Sequence, residues 1–266
     1  MRNKVKVLVV GQTPPPFLGQ AMMIDRLVKG KFENVSIFHV RMAFSDNLQA
    51  IGKFKFKKLT HLLYVVLKTI QMRFKHNVSI LYYPPSGPHR VPLMRDLMIL
   101  FCIRPFFKKT IFHYRAAGVS QLLERSTPVI RFLGKKIYNH PHGAIQQSIL
   151  NPADGKYFHA RKTFIIKNGL EDAAAKYLPL ERHPSATLKI LFVGAMYKER
   201  GILVLLEAAK LLKESGIPFR AVCVGDFATP AFGVEAKEQC RAYGLREQFL
   251  FPGSKIGDAK WHEYLT

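Results

Sequence analysis

The sequence KILFVGAMYKERGILVLLEAAKLL, residues 189–212, decides the fold of this chain. Its apolar run, Ile190–Val193, ends at Gly194 and is typical of a buried strand. A tight basic turn follows and ends at Gly201. Beyond it, apolar residues recur at the spacing of an amphipathic helix: Ile202, Leu205, Leu206, Ala209 and Leu212. The stretch therefore predicts a strand–turn–helix unit of an α/β fold.

The turn between this strand and helix has the chemistry of an anion site. A strand that passes through glycine into a helix presents unpaired backbone N–H groups and the positive end of the helix dipole. Lys198 and Arg200 add full charges that suit a diphosphate. An ordinary strand–turn–helix unit with a solvated basic turn shows the same pattern, so the turn alone leaves both interpretations open.

The segment VGAMYKERGILVLLEAAKLL resembles the start of the second domain in GT-B glycosyltransferases of family 4. In that family an Arg and a Lys of the turn hold the diphosphate of a nucleotide-sugar donor. The resemblance implies donor binding by Gly194, Lys198, Arg200 and Gly201. The sequence departs from the family pattern because Ala195 stands at the usual Arg position and Arg200 at the usual Lys position. Lys198 is the residue that could compensate for the charge missing at position 195.

The resemblance continues through the strand Phe219–Gly225 and the short run Phe249–Phe251, which match the family's strand, VGD turn, helix and F-x-G. It implies that Gly225 and Asp226 also bind the donor. The family's next segment carries two Glu residues that engage the donor sugar and ribose. The chain ends at Thr266 without such a pair, so the second domain is expected to be incomplete.

The first part of the chain predicts another parallel sheet. A Pro-rich loop, GQTPPPFLGQA, follows the first strand, so the first helix is expected only from about Met22 to Lys29. The same loop resembles the family's cleft-facing loop, which places Gly19 and Gln20 at the cleft. Five apolar runs read as strands: Lys4–Val10, Val35–Val40, Ser79–Tyr83, Lys109–Tyr114 and Lys162–Lys167.

Polar residues follow several of these strands, where doubly wound sheets bind their ligands. The segments YYPPSGP and FHYRAAG resemble segments of family 4 enzymes that line the acceptor side, and FIIKNGL resembles the segment that closes the first domain with an Asn-Gly turn. This implies that His113 is the catalytic candidate, orienting the acceptor or the donor sugar, and that Arg115 contacts an acceptor phosphate. Ser86 and Asn168 are assigned to the cleft on the same grounds. A structural histidine and a plain surface arginine are the alternatives at 113 and 115.

Charge is distributed unevenly along the chain. The whole sequence has 41 Lys+Arg against 18 Asp+Glu, a net charge of +23. Residues 188–266 hold 11 basic and 9 acidic residues, so residues 1–187 carry a net +21. Such an excess attracts polyanions, either nucleic acid or an anionic membrane surface. No nucleic-acid-binding motif occurs, and the basic stretches read as helix faces, which disfavours a nucleic-acid partner.

Residues 47–95 contain nine Lys or Arg and no acidic residue. A broad apolar helical face lies within them: Leu59, Leu62, Leu63, Val66, Leu67, Ile70 and Phe74. We expect this helix to be a core helix and its flank KFKFKK, residues 53–58, to touch an anionic membrane. The run Val5–Val10 is too short for a signal peptide, and no apolar run reaches the roughly 18 residues of a membrane span.

Other classes of site are poorly supported. Cys102, Cys223 and Cys240 are scattered, which disfavours a disulfide framework and favours a reducing compartment. His140 and His142 lack a matching carboxylate or cysteine cluster, so no metal site is expected. The chain has no Asp-X-Asp, the signature that metal-dependent GT-A transferases usually carry.

The combined prediction is an α/β protein of two doubly wound, Rossmann-like GT-B domains: residues 1–177, a linker at 178–187, and residues 188–266. The resemblance implies a hexosyltransferase that moves a sugar from a nucleotide-sugar to a glycan or lipid-linked acceptor, with retention, without a cofactor or metal, in cell-envelope polysaccharide synthesis. A cytoplasmic location, peripheral at the inner membrane face, is expected. The alternative is a catalytically incomplete chain that acts as a membrane- or partner-binding module.

Overall fold

The computed structural model describes residues 4–15, 19–44, 56–169 and 187–255. The chain divides into two compact units, Met1–Gly169 and Leu170–Thr266. The predicted linker at 178–187 lies outside the described residues except for Thr187, and so do residues 53–55 and the side chains of 56–58 in the KFKFKK flank. Residues beyond 255, where the donor-sugar segment was sought, are outside them too.

The first unit is built on a six-stranded parallel sheet with strand order β2-β1-β3-β4-β5-β6. Its strands are β1 Val5–Gly11, β2 Val35–Arg41, β3 Ile80–Tyr83, β4 Lys109–Tyr114, β5 Gly143–Gln146 and β6 Thr163–Ile165. Its helices are α1 Gly19–Lys29, α2 Phe56–Lys75, α3 Arg90–Ile103, α4 Val119–Glu124, α5 Pro128–Tyr138 and α6 Asp154–Tyr157.

The direction of each crossover decides which face of the sheet a helix covers. The connection through α1 leads from β1 to β2 at one edge of the sheet. The later connections lead in the opposite direction, from β2 toward β6 at the other edge. Because such crossovers are right-handed, α1 lies on one face and α2, α3 and α5 lie on the other. Alternate residues of β1 confirm this, since Leu8 packs in the large core with Val65 of α2 and Val9 packs with Ile24 of α1.

The second unit has a three-stranded parallel sheet in the order β7-β8-β9, with strands Leu188–Val193, Phe219–Val224 and Phe249–Gly253. Two helices, α7 Ile202–Glu214 and α8 Pro230–Ala242, connect them. Both crossovers run in the same direction, so both helices cover the same face. Their shared core includes Leu206 and Ala209 of α7, Cys240 of α8 and Cys223 of β8.

Both parallel sheets agree with the sequence-based prediction, and so do all their strands except β5, Gly143–Gln146, which was not predicted. The other differences are local. Helix α1 begins at Gly19 rather than near Met22. No proline follows Pro16 in this loop, so nothing in the sequence excludes a helical backbone from Gly19 onward. Strand β6 is shorter than predicted. The expectation of a core helix at α2 is only partly right: Val65, Val66 and Thr69 are buried, but other apolar residues of its predicted face are exposed, namely Leu59, Leu63, Leu67 and Phe74. The apolar arc is wider than the surface that the sheet and α3 can cover.

Candidate functional site

Glycines end all three strands of the second unit at neighbouring positions. Gly194 N–H donates to the Val224 carbonyl at 2.9 Å, and Gly225 N–H donates to the Gly253 carbonyl at 3.0 Å. All three glycines have positive φ, of 137°, 144° and 77°. A Cβ on Gly225 would lie 2.0 Å from the Gly194 carbonyl oxygen, so only glycine fits there. We call Gly194, Gly225 and Gly253 the glycine edge, a rim of bare backbone that a ligand can approach closely.

The turn after β7 is anchored beside this edge. Met196 is fully buried, and its N–H donates to the Asp226 carbonyl at 2.9 Å while its own carbonyl accepts from Ala228 N–H at 3.0 Å. A single turn of 3-10 helix, Lys198–Arg200, then leads to Gly201, whose φ of 81° ends the turn. These bonds fix the point from which helix α7 starts.

The N-terminus of α7 is open to an anion. Gly201 occupies its N-cap position, no side chain caps it, and no acidic residue lies in its first turn. The first backbone N–H groups of a helix have no intrahelical partner, and the helix dipole makes this end positive. The pattern predicted from the sequence, a strand leading through glycine to a bare helix N-terminus, is thus present.

The two predicted cations of the turn are exposed. The Arg200 guanidinium lies 5.5 Å from the centre of the Tyr197 ring, and its Nη1 lies 3.2 Å from the point where a Cβ on Gly194 would sit. Within the described part of the chain, neither Lys198 nor Arg200 forms an ion pair. Arg200 therefore places its charge beside the glycine edge without a carboxylate to neutralise it.

Asp226 has a role that sequence reasoning missed. Its carboxylate accepts from Ser254 N–H at 3.2 Å and from Ser254 Oγ at 2.6 Å. It thereby ties the end of β8 to the turn after β9 and holds Gly253 in the glycine edge. The signal for this partner was weak, a Pro252-Gly253-Ser254 turn after a short strand. Asp226 was predicted as a donor contact, and in the structure it shapes the edge beside which a donor would lie.

In the first unit, His113 lies near the end of β4 and is only 5% exposed. Its Nδ1 is 2.5 Å from Tyr82 Oη on the neighbouring strand β3. Burial, and secondly the positive charge of Arg115, lowers the pKa of His113 to about 3. The imidazole is therefore neutral near pH 7. Its Nε2 is buried and has no hydrogen-bond partner among the described residues.

Arg115 and Asn168, both predicted site residues, are in direct contact. Arg115 Nη1 donates to Asn168 Oδ1 at 2.9 Å, and Gln147 Nε2 donates to the same oxygen at 3.0 Å. The three side chains come from the ends of three neighbouring strands, β4, β5 and β6. Gln147 was missed because nothing in its local sequence distinguishes it from a surface glutamine.

Ser86 supports the loop after β3 through a buried carboxylate. Its N–H and Oγ both donate to Asp96 Oδ2 at 2.7 Å, and Tyr83 Oη donates to Asp96 Oδ1 at 2.8 Å. Asp154 does the same for the loop after β4, since it accepts from the N–H groups of Gly118 and Ser120 at 2.8 Å each. Two fully buried aspartates thus fix the loops that flank His113.

The remaining predicted cleft residues lie at the start of α1. Gly19 is the first residue of that helix and has open space where a Cβ would lie. Gln20 Nε2 donates to the Pro84 carbonyl at 3.3 Å, so it connects α1 to the loop after β3. These residues and His113 belong to the same carboxyl edge of the first sheet.

A surface cavity, metal sites and membrane-spanning helices are the other features of interest. A surface cavity of about 560 Å³ lies at the opposite, amino edge of the first sheet, with Lys4, Lys6 and Lys109 in its lining. Within the described ranges, no group of metal-binding side chains comes together, and no helix is long and apolar enough to cross a bilayer. The carboxyl edges of the two sheets are therefore the candidate sites that the fold favours.

Comparison with known proteins shows the fold. No protein-family model matches the sequence, and no curated protein matches it significantly. Among solved structures, sucrose-phosphate synthase from Thermosynechococcus elongatus is 15% identical with a TM-score of 0.61, and the match covers 98% of this chain and 72% of that one. Anabaena Alr3699/HepE, solved with UDP and glucose, is 16% identical with a TM-score of 0.57, covering 95% and 70%.

A third similar structure is that of an epimerase. UDP-GlcNAc 2-epimerase from Methanocaldococcus jannaschii is 10% identical with a TM-score of 0.50, and the match covers 97% of this chain and 75% of that one. The chain thus has the α/β fold of GT-B proteins, with a six-stranded parallel sheet and a second parallel sheet. At these identities the likeness establishes architecture, and the site residues must carry any assignment of function.

Proposed function

We propose that this protein is a glycosyltransferase of the family 4 type, which moves a sugar from a nucleotide-sugar to a glycan or lipid-linked acceptor at a membrane surface, with retention. The observation that carries the proposal is the glycine edge beside the open N-terminus of α7, with Arg200 next to it. Similarity to proteins solved with UDP, such as Alr3699/HepE, supports the same choice of ligand.

The donor diphosphate would bind where bare backbone, helix dipole and full charge meet. The glycine edge admits the phosphates, the N–H groups at the start of α7 donate to their oxygens, and Arg200 and Lys198 neutralise their charge. When the glycosidic bond to the diphosphate breaks, negative charge grows on the leaving oxygen. These fixed positive groups stabilise that charge, and nothing in the proposal requires a metal ion or a cofactor.

The acceptor side of the proposal rests on the carboxyl edge of the first sheet. A neutral His113, held by Tyr82 near the end of β4, is the residue that we assign to orient the acceptor or the donor sugar. Arg115, fixed by Asn168, offers its charge to an acceptor phosphate. A lipid-linked acceptor and a location at the inner face of the membrane agree with the net charge of +21 on residues 1–187.

A transfer assay tests this function. The purified chain is incubated with UDP-, GDP-, ADP- and TDP-sugars labelled in the sugar, together with a membrane lipid extract. The proposal predicts release of one nucleoside diphosphate and transfer of label to a lipid or glycan, in step with each other. An epimerised nucleotide-sugar without released diphosphate would overturn it in favour of epimerase chemistry. Nucleotide binding with no turnover of any donor would overturn it in favour of a binding module.

A further inference from the structure

Three neighbouring helices of the first unit expose apolar side chains on their outer surfaces. The exposed fractions of these side chains lie between 40% and 68%. They are Leu59, Leu63, Leu67 and Phe74 on α2, Val91, Met94, Met98 and Phe101 on α3, and Val129, Phe132 and Leu133 on α5. We call this set the apolar face. Contiguous exposed apolar surface of this extent marks an interaction site in a water-soluble fold.

Helix α3 shows most clearly that the apolar face needs a covering. Val91, Met94, Met98 and Phe101 follow one another at helical spacing along its outer side, and its inner side is buried against the sheet. Its charged residues do not interrupt the outer stripe. Arg90 lies at the first position, and Arg95 Nη2 is paired at 2.8 Å with the buried Asp96. A helix that is apolar all round normally has neighbours on every side.

The three stripes form one surface. Helix α3 packs against α2 on one side and α5 on the other. At one end, the rings of Phe74 and Phe106 lie 5.9 Å apart, and Arg73 Nε donates to the Phe106 carbonyl at 2.8 Å. The outer stripe of α2 is thereby joined to the segment that follows α3. The apolar face is therefore continuous across the helical layer.

The charge around the apolar face is positive. Residues 47–95 contain no acidic residue, and Asp96, the acidic residue of α3, is fully buried. Helix α5 has no acidic residue of its own, and the exposed Glu124 of α4 lies 3.9 Å from Arg131 and 3.7 Å from Lys135 of α5. Exposed cations lie along the layer, among them Lys75, Arg90, Lys108 and Lys136. An apolar surface bordered by cations is complementary to a layer that is apolar inside and anionic at its surface.

We propose that the apolar face docks on an anionic lipid bilayer, with its apolar side chains at the boundary between headgroups and acyl chains and its cations on lipid phosphates. Because no described helix could span a bilayer, the contact is with one leaflet. A second copy of this chain is a poorer occupant, since pairing would bring together two regions that each carry a net +21 in residues 1–187. The docking surface does not require the proposed transferase activity.

Vesicle sedimentation with matched variants tests the docking surface. Wild type should bind vesicles that contain phosphatidylglycerol far more than vesicles of phosphatidylcholine alone, and added salt should weaken the binding. The double variant F101S/F132S should bind anionic vesicles at least about tenfold more weakly, because each Phe contributes buried apolar area. The control V204S/L211S, with side chains of equal exposure on α7, should bind as wild type does.

A label on Cys102 reports which surface touches the lipid. This cysteine is exposed next to Phe101 on α3, whereas Cys223 and Cys240 are buried. An environment-sensitive fluorophore at Cys102 should shift to the blue on anionic vesicles and be quenched by lipids that carry a nitroxide near the headgroup. Vesicle binding without these changes would overturn the proposal, because another surface would then make the contact.

Further outcomes also decide the matter. If wild type binds no anionic vesicle, the proposal is overturned. If wild type forms a dimer that F101S/F132S abolishes and V204S/L211S does not, a second copy of the chain covers the apolar face instead. Equal vesicle binding by F101S/F132S and V204S/L211S overturns it as well. Urea denaturation of the same samples shows that each variant is folded, and nucleoside diphosphate binding tests the donor site separately.

Discussion

The carbonyl oxygen of Gly194 lies 2.0 Å from the position that a Cβ on Gly225 would occupy. The two residues end neighbouring strands, and the contact brings the backbones of β7 and β8 together at the point where a ligand would approach. Gly225 therefore requires glycine both for space and for its φ of 144°, whereas Gly194 favours glycine for its φ of 137°. The glycine edge is thus defined by close packing as well as by backbone conformation.

Substitution of Gly225 by Ala should deform the glycine edge. The new methyl group meets backbone atoms, which cannot move aside as a flexible side chain can, and the positive φ adds strain. We expect the free energy of unfolding of the second unit to fall by about 2–4 kcal/mol in G225A, measured by urea denaturation. Binding of nucleoside diphosphate should be lost with it.

Gly216→Ala is the matched control for this prediction. Gly216 has a φ of 69° but open space where a Cβ would lie. Its substitution should cost only the backbone strain, about 1–2 kcal/mol, and leave nucleotide binding intact. Equal losses in G216A and G225A would contradict the importance of the contact with Gly194.

The buried His113 should make the first unit less stable in mild acid. Its pKa is about 3 in the folded chain, well below the usual 6.5, so the folded state excludes a proton that the unfolded state binds. The stability that depends on the neutral ring is complete above about pH 6.5. It falls as the pH drops toward the folded pKa, by about 1.4 kcal/mol per pH unit.

Urea denaturation between about pH 7 and pH 5, above most carboxylate titrations, measures this effect together with that of His39 and His142, since burial lowers the pKa of both. The variant His113→Gln should therefore show a smaller slope than wild type in this range. His89→Gln, at an exposed histidine, serves as the control and should keep the slope of wild type. An unchanged slope in H113Q would mean that His113 does not titrate as its burial requires.

Asp154 should contribute more to stability than a partly exposed aspartate. Its carboxylate is fully buried and accepts from the N–H groups of Gly118 and Ser120, which D154A would leave buried and unpaired. We expect D154A to lower the free energy of unfolding by about 2–4 kcal/mol. D25A, which removes the surface ion pair with Lys29, should change it by no more than about 1 kcal/mol. Similar losses in the two variants would contradict the role given to Asp154.

Much of the fold could be predicted from the sequence because local signals determine it. The runs at Lys4–Val10 and Ile190–Val193 are mostly apolar, as strands of a sheet covered by helices require, and glycines end them. The turn from Gly194 to Gly201 was likewise evident, since glycine spacing and the helical pattern after it are local features. Both parallel sheets were predicted on this basis and are confirmed.

The contacts that shape the candidate site could not be predicted in this way. Tyr82 and His113 meet because β3 and β4 are neighbours, and they lie 31 residues apart in the sequence. Asp226 and Ser254 are separated by 28 residues. Such pairs depend on strand register, which periodicity does not reveal. Similarly, the spacing of apolar residues in α2 shows that a face is apolar but does not show what covers it.

Calorimetric titration with nucleoside diphosphates tests the central claim, that the glycine edge and the start of α7 form a diphosphate site. Wild type should bind at least one of UDP, GDP, ADP and TDP. R200A should bind it about tenfold more weakly, because one charge-assisted contact is lost. R220A, which removes an equally charged and exposed side chain near the amino end of β8, should bind as wild type does. Binding that R200A leaves unchanged, or wild type that binds none of the four, would contradict the account.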